Sequence, residues 1–276
     1  MTLGDAFAGP EAKRRYVRRL FGTIADRYDL ITVLLSFGSD RRWKRRLIEL
    51  SGLQPGWRVL DLACGTGDLA LAASARGGAV VGLDITPRMI ELARAKPAAS
   101  PVRFIVGDMT AIPVPSGSFD LVTTGYGLRN VPDLSRALAE IERVLVPGGT
   151  FCSLDFNRPE GRAVRAVYLA YLTVVGSALG FVLHRDPDTY RYIPASIRRY
   201  PGAAGVSDLM RRSGLVDVRA IPVLGGLMTI HLGRKVYHRV ESANERSEVS
   251  PRERSGDSGA PASERVGGPR GRSPPE

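Results

Sequence analysis

The chain has 276 residues, enough for one substantial core or one domain with appendages. Its formal net charge is +11. Eleven Lys or Arg stand against three Asp between Lys13 and Arg46, while six Arg meet seven acidic residues after position 240, so the body carries the excess. No zinc finger, RNP-like aromatic motif or GxxG clamp accompanies that charge, which argues against a nucleic-acid partner. A solvated basic face and attraction to an anionic membrane surface both remain open.

The first segment, 1–12, is expected to be flexible, and it holds no apolar signal core. From 13 to 50 the pattern is helical and amphipathic: Leu20, Phe21, Ile24 and Ala25, a break at Ser36-Phe37-Gly38, then Trp43, Leu47, Ile48 and Leu50. From Trp57 onward strands and helices alternate. Strands are predicted at 58–62, 79–83, 102–106, 119–123 and 150–156, with helices at 68–75, 87–95 and 134–145, the last ended by Pro147-Gly148-Gly149. This alternation predicts an α/β fold with a mostly parallel sheet covered on both faces.

Residues 160–205 interrupt the rhythm as a helical insertion. Within it, Ala166–Leu183 is eighteen uncharged residues, which suits a membrane span, a buried helix or the wall of a lipophilic pocket. A helix at 206–213 and strands at 215–221 and 227–232 close the sheet. The segment 241–276 is rich in Ser, Gly, Pro, Arg and Glu and is expected to be disordered. Cys64 and Cys152 form no CxxC motif, so a reducing cytoplasm is expected. Cys64 reads as small-residue packing, and His184, His231 and His238 have no metal-ligand spacing, so no metal site is expected.

The strongest chemical signal is VLDLACGTGD, Val59 to Asp68. It follows a strand and opens a helix, and Gly65 and Gly67 permit a tight turn with close ligand approach. Asp61 and Asp68 are poor neighbours for a pyrophosphate and good ones for an adenosyl amino acid with an ammonium group. Asp84 ends the second strand, where a carboxylate grips ribose hydroxyls or caps a helix. Asp108 ends the third, with the Met109 backbone beside it, facing an adenine amine or again capping.

Several further blocks carry a resemblance: FGTIADRYDL (21–30), LSFGSDRRWKR (35–45), GLRNVPD (127–133), RVLVPGG (143–149), DFNRP (155–159) and DTYRYIPASIRRYP (188–201). With the glycine turn, they make the chain resemble class I methyltransferases, and more narrowly the family that C-methylates the ring in menaquinone and ubiquinone biosynthesis. The resemblance covers 13–238. It implies a Rossmann-like seven-stranded sheet with the last strand antiparallel, S-adenosylmethionine as methyl donor, and a lipophilic acceptor, demethylmenaquinol or another prenylated hydroquinone. It assigns Asp61, Gly65, Thr66 and Gly67 to the donor's amino-acid side, Asp84 and Ile85 to its ribose, Asp108 and Met109 to its adenine, and Gly125 to its approach after the fourth strand.

Tyr28, Arg129 and Asn130 match positions beside the acceptor ring. Arginine is a poor base, so Arg129 is expected to stabilise a phenolate, with Tyr28 orienting the hydroxyl or relaying its proton. A helix-capping contact for Tyr28 and a structural ion pair for Arg129 are the plainer alternatives. The sequence departs from the family at Thr32, where Asn is usual, at Asp40, where His is common, and in DFNRP. These changes leave room for another phenolic or polyketide-like acceptor. A binding protein that has kept the nucleotide fold is the rival from another class, and the intact Asp61, glycine turn and Asp84 argue against it. A prenyl tail would need the apolar insertion, and the N-terminal arginines would hold the opening near anionic lipid at the inner face of the membrane.

Overall fold

The computed structural model describes residues 3–4, 7–36, 38–99 and 101–237. The segment 241–276 and His238 lie outside the described residues. Seven strands form one sheet: β1 (Arg58–Leu62), β2 (Ala79–Asp84), β3 (Arg103–Val106), β4 (Phe119–Gly125), β5 (Leu145–Phe156), β6 (Leu215–Val223) and β7 (Met228–Lys235). Their order is β3-β2-β1-β4-β5-β7-β6. Strands β1 to β5 pair in parallel, and β7 runs antiparallel between β5 and β6. This is the expected mostly parallel sheet with its last strand reversed.

After Arg58, every residue of β1 is buried, as both faces of a central parallel strand must be when helices cover them. On one face lie α3 (Asp40–Leu50), α4 (Asp68–Ser74) and α5 (Pro87–Ala95), which bring Leu47, Ile48, Ala70, Ala73 and Ile90 into the core. On the other, α6 (Leu134–Val144) and α9 (Gly202–Arg212) supply Leu138, Ile141, Val206 and Met210.

Three local expectations are corrected. Helix α1 (Pro10–Ile24) begins inside the segment expected to be flexible. Proline is preorganised for the first helical turn, and Phe7 just ahead of it stacks on Tyr192 at 6.0 Å. Pro147-Gly148-Gly149 lies within β5 and does not end a helix: β4 pairs Phe119 with Leu145 and then Leu121 with Thr150, so the intervening residues bulge out of register. The insertion proper is α7 (Arg162–His184) and α8 (Tyr192–Arg199), because α9 already packs under the sheet.

Helix α7 is long and apolar enough to cross a membrane by length and composition, with 28% of its apolar window buried in the protein. It packs through Tyr168, Leu169 and Leu172 against Ile197 of α8. Gly180 lets the chain turn back on it, since a Cβ there would collide with the carbonyl of Asp186.

Candidate active site

The parallel register sets the first pair of carboxylates. Asp61 of β1 lies beside Gly82 of β2, and Asp84 is two residues further along. Side chains alternate along a strand, so Asp61 and Asp84 share one face near the carboxyl end of the sheet. Asp61 is 1% exposed. Its Oδ1 accepts from Thr123 Oγ1 at 2.8 Å. Among the described residues its Oδ2 is buried with no hydrogen-bond partner, while the Ala70 amide at the start of α4 favours the charged form of the carboxyl. Burial pushes the Asp61 carboxyl up to about 7, against the Thr123 bond and the charge of Lys44. A buried carboxylate oxygen without a partner is costly, and a cationic ligand group would supply what it lacks.

The glycine turn is tied to the second carboxylate. Gly65 N–H donates to Asp84 Oδ2 at 2.9 Å, and Thr86 N–H donates to Oδ1 at 2.8 Å. Each oxygen keeps a lone pair for a further donor. Thr66 Oγ1 donates to Asp29 of α2 (Tyr28–Leu35). Gly67 does not line the cleft. It stands at φ +88°, where a Cβ would fall 2.8 Å from Phe104 Cζ, so its glycine is demanded by the turn and by packing.

The cleft beside this turn is lined by Gly65, Asp84, Ile85, Asp108, Met109, Gly125 and Asn130, with Phe21 and Tyr28 reaching over from the N-terminal helices. Asp108 lies two residues past the end of β3, not at its end. Its Oδ1 accepts from the amide and hydroxyl of Thr110, both at 2.8 Å, and its Oδ2 meets Arg14 Nε of α1 at 2.8 Å.

A second, apolar cavity of about 620 Å³ adjoins the cleft and shares Phe21, Tyr28 and Tyr126 with it. Its walls come from α1, α2, α7 and the segment at 189–193, and include Ile31, Phe156, Val167 and Tyr168. Thr32 lies in this wall, its hydroxyl returned to the Tyr28 carbonyl at 2.9 Å. Burial pushes the Tyr28 hydroxyl up to about 12, with Lys44 and Arg129 pulling the other way.

Arg129 lines this cavity and is 6% exposed. Its Nε lies 3.2 Å from Asp155 Oδ1, its Nη1 donates to Asn130 Oδ1 at 2.9 Å, and its guanidinium sits 4.8 Å from the Phe156 ring centre. Lys13 of α1 donates to the carbonyls of Arg129 and Val131 at 3.1 and 2.6 Å, pinning the lead-in helix to this turn. Asn130 lines the cleft and not the adjoining apolar cavity. Both ends of its amide are committed, Oδ1 to Arg129 and Nδ2 to the Tyr126 carbonyl at 2.8 Å.

Four residues at the site escaped the sequence reading. Tyr126 lies between Gly125 and Gly127, and its hydroxyl donates to Asp40 at 2.7 Å. Asp40 registered only as a departure from histidine, and Lys44 only as one more basic residue. Asp155 opens DFNRP, and its pairing with Arg129 spans 26 positions, beyond any local pattern. Cys64 is buried, and burial pushes its thiol well above the usual range, as packing requires. His184 Nε2 meets the Tyr190 hydroxyl at 2.9 Å and His231 Nε2 the Ala203 carbonyl at 3.0 Å.

A sheet of this order, with a half-partnered Asp61 on β1 and a carboxylate ending β2, belongs to a class I S-adenosylmethionine-dependent methyltransferase. Two solved methyltransferases share the fold. One from Thermotoga maritima aligns with a TM-score of 0.57 at 18% identity over 79% of this chain and 99% of its own. One from Aquifex aeolicus aligns at 0.51 and 18% over 70% and 89%. The model of the ubiE/COQ5 methyltransferase family matches residues 10–235. The chain is 42% identical over 218 residues to the demethylmenaquinone methyltransferase of Thermus thermophilus, covering 78% of this chain and 99% of that protein. It is 38% identical over 230 residues to the ubiquinone/menaquinone biosynthesis C-methyltransferase UbiE of a Geobacter species, covering 81% and 97%. The chain belongs to the ubiE/COQ5 methyltransferase family.

Proposed function

We propose that this enzyme transfers a methyl group from S-adenosylmethionine to a ring carbon of a prenylated hydroquinone, demethylmenaquinol before any other. The observation that carries this reading is the apolar cavity of about 620 Å³ sharing Tyr28 and Tyr126 with the carboxylate-lined cleft. A greasy chamber of that size suits a ring with an isoprenoid tail. Relatives named for this reaction support it.

S-adenosylmethionine, when bound, supplies an electrophilic methyl group. The residues fit it. Asp61 Oδ2 lacks a partner that an ammonium would provide, Asp84 and Ile85 border the ribose end, and Met109 with Asp108 borders the adenine end. Thr66 and Gly125 complete the amino-acid side. Gly65 and Gly67 shape the turn that leaves this space open.

On the acceptor side, Arg129 stabilises the ring oxygen as it gains negative charge. Its Nη2 makes no hydrogen bond to the protein among the described residues. Asn130 holds the guanidinium in place through Nη1. Tyr28 orients the ring hydroxyl from the boundary between cleft and cavity. The apolar walls exclude water, which strengthens attraction between a phenolate and a sulfonium.

The acceptor is membrane-soluble, and we read the outer faces of α2 and α7 as a peripheral contact with an anionic bilayer at the inner face of the membrane. Val167 both lines the cavity and is 71% exposed, and Phe181 on the same helix is 65% exposed. Leu30, Val33 and Leu34 are exposed on α2. Exposed Arg41, Arg42 and Arg45 on α3 supply cationic charge, which complements anionic headgroups. Sedimentation with phosphatidylglycerol vesicles tests this: binding that weakens with salt supports it, and no binding to anionic or neutral vesicles refutes it.

The activity itself is tested by incubating labelled S-adenosylmethionine with a panel of reduced quinones and following the products by mass. Methylated demethylmenaquinol is expected. A donor-binding enzyme that modifies only non-quinone phenols would overturn the acceptor assignment.

A further inference from the structure

Tyr126 is the residue that the cleft, the cavity and the small Asp61 pocket have in common with Tyr28. It is buried and held at φ +61°, a region costly for a side chain larger than glycine. Its amide donates to the Leu154 carbonyl at 2.7 Å, which fixes it at the end of β4. Its hydroxyl donates to Asp40 Oδ1 at 2.7 Å.

Asp40 is only 2% exposed. Its Oδ2 lies 2.7 Å from Lys44 Nζ. Lys44 also meets Asp68 at 2.9 Å, Asp68 meets Lys96 at 2.8 Å, and Lys96 meets Asp29 at 3.0 Å. An alternating row of charges thus runs outward from the wall of the reaction chamber. Burying a carboxylate is expensive, and apolar residues of similar volume would often serve stability as well. Its placement on the hydroxyl of a chamber-lining tyrosine calls for a chemical use. Tyr28 is less suited to move a proton, having no carboxylate bonded to its hydroxyl among the described residues.

We propose that Tyr126 and Asp40 form the relay that takes the proton from the acceptor's ring hydroxyl. Tyr126 is the catalytic residue, and Asp40 acts through it. The ring O–H bond breaks, its electron pair stays on the ring oxygen, and its proton bonds to Tyr126 Oη. The proton Tyr126 already holds passes to Asp40 Oδ1. Negative charge therefore moves from Asp40 to the ring oxygen, and Lys44 keeps Asp68 as its counter-ion. Methylation of the ring carbon leaves a neutral dienone. The ring C–H proton then leaves to water while the relay returns its proton to the oxygen, so one proton is released per methyl transferred.

The relay rests on the hydroquinone reading above. Its test compares wild type, Y126F, D40N and D40H with reduced demethylmenaquinone, following kcat against pH. Binding of S-adenosylhomocysteine and thermal melting are followed alongside. The groups facing the pair are Tyr28 from α2, Lys44 from α3 and Asp155 from β5, and all stay unchanged in these variants. General-base loss predicts that Y126F and D40N lower kcat by about 100-fold or more with product affinity held within about twofold. A carboxylate base gives a kcat that rises with pH at the acid end. In D40H that rise moves up toward the ordinary histidine range, ~6.5, with part of the rate restored.

Y126F and D40N that keep both kcat and profile would overturn the relay, as would a D40H profile that does not move. If D40N fails to fold, Y126F decides through its kcat and solvent isotope effect, and a value unchanged from wild type is the refuting outcome. A wild type that binds S-adenosylhomocysteine yet methylates no hydroquinone refutes the acceptor reading instead, and the relay with it.

Discussion

The amide of Gly65 donates to Asp84 Oδ2 at 2.9 Å, so the glycine turn after β1 and the carboxylate ending β2 form one bonded unit. Asp84 therefore holds the turn as well as bordering the cleft. Asp84→Ala leaves the Gly65 and Thr86 amides without acceptors, at about 1–3 kcal/mol for each unsatisfied buried group. The expected result is a lower melting temperature together with weaker S-adenosylhomocysteine binding by calorimetry. Loss of affinity with unchanged melting would show that the turn stands without it.

At the proposed donor site, Asp61 is expected to impose a pH dependence. Its folded carboxyl is raised from the ordinary 3.8 to about 7 by burial. A raised pKa means that the empty fold binds the proton more tightly than the unfolded chain does. That contribution to stability is fully present below about 4 and is lost as pH rises through about 7. A cationic ligand group reverses the preference, because it favours the ionised carboxylate. Donor affinity should climb as pH rises toward 7 and level off above it. Asp61→Asn should flatten the curve at low affinity, and isothermal titration across pH 5 to 9 measures both.

Lys44 is buried between Asp40 and Asp68. Lys44→Met leaves Asp40 as an uncompensated buried charge, which costs about 3–5 kcal/mol and should appear as a lower urea midpoint. Asp68 adds an acid-side signature. Its carboxyl is lowered to about 2, the attraction of Lys44 and Lys96 overcoming burial. A depressed pKa gives stability that is present above the unfolded value and lost as pH falls toward 2. Because Asp68 is part-exposed, this contribution is screened. Lys96→Met should nevertheless make the stability curve shallower between pH 4 and 2 than in wild type.

Gly67→Ala meets two obstacles at once, the φ of +88° and Phe104 Cζ at 2.8 Å from the added carbon. The expected loss is roughly 1–3 kcal/mol, read by thermal melting. Phe104→Leu in the same chain should recover the steric part and not the conformational part.

The alternating strand and helix runs, the glycine turn and the carboxylates at 61, 84 and 108 were readable in the chain because each depends on neighbours a few residues away. That Asp61 and Asp84 fall on one face took the register of β1 against β2, which sets Asp61 beside Gly82. Gly67 shows the limit of that reading: the motif marks it, but only Phe104, packed from β3, reveals that the glycine serves packing and not the cleft. Asn130 shows it again, since its motif gives no hint that both ends of its amide are taken.

The sequence alone determined the sheet and the family, because local periodicity and short motifs encode backbone turns and strand ends. The tertiary structure decided what meets across the chamber. Tyr126 reaches Asp40 over 86 positions and Arg129 meets Asp155 over 26, and the apolar cavity exists only where α1, α2 and α7 converge. Such contacts arise from chain segments brought together by burial of apolar surface, and no spacing along the chain records them.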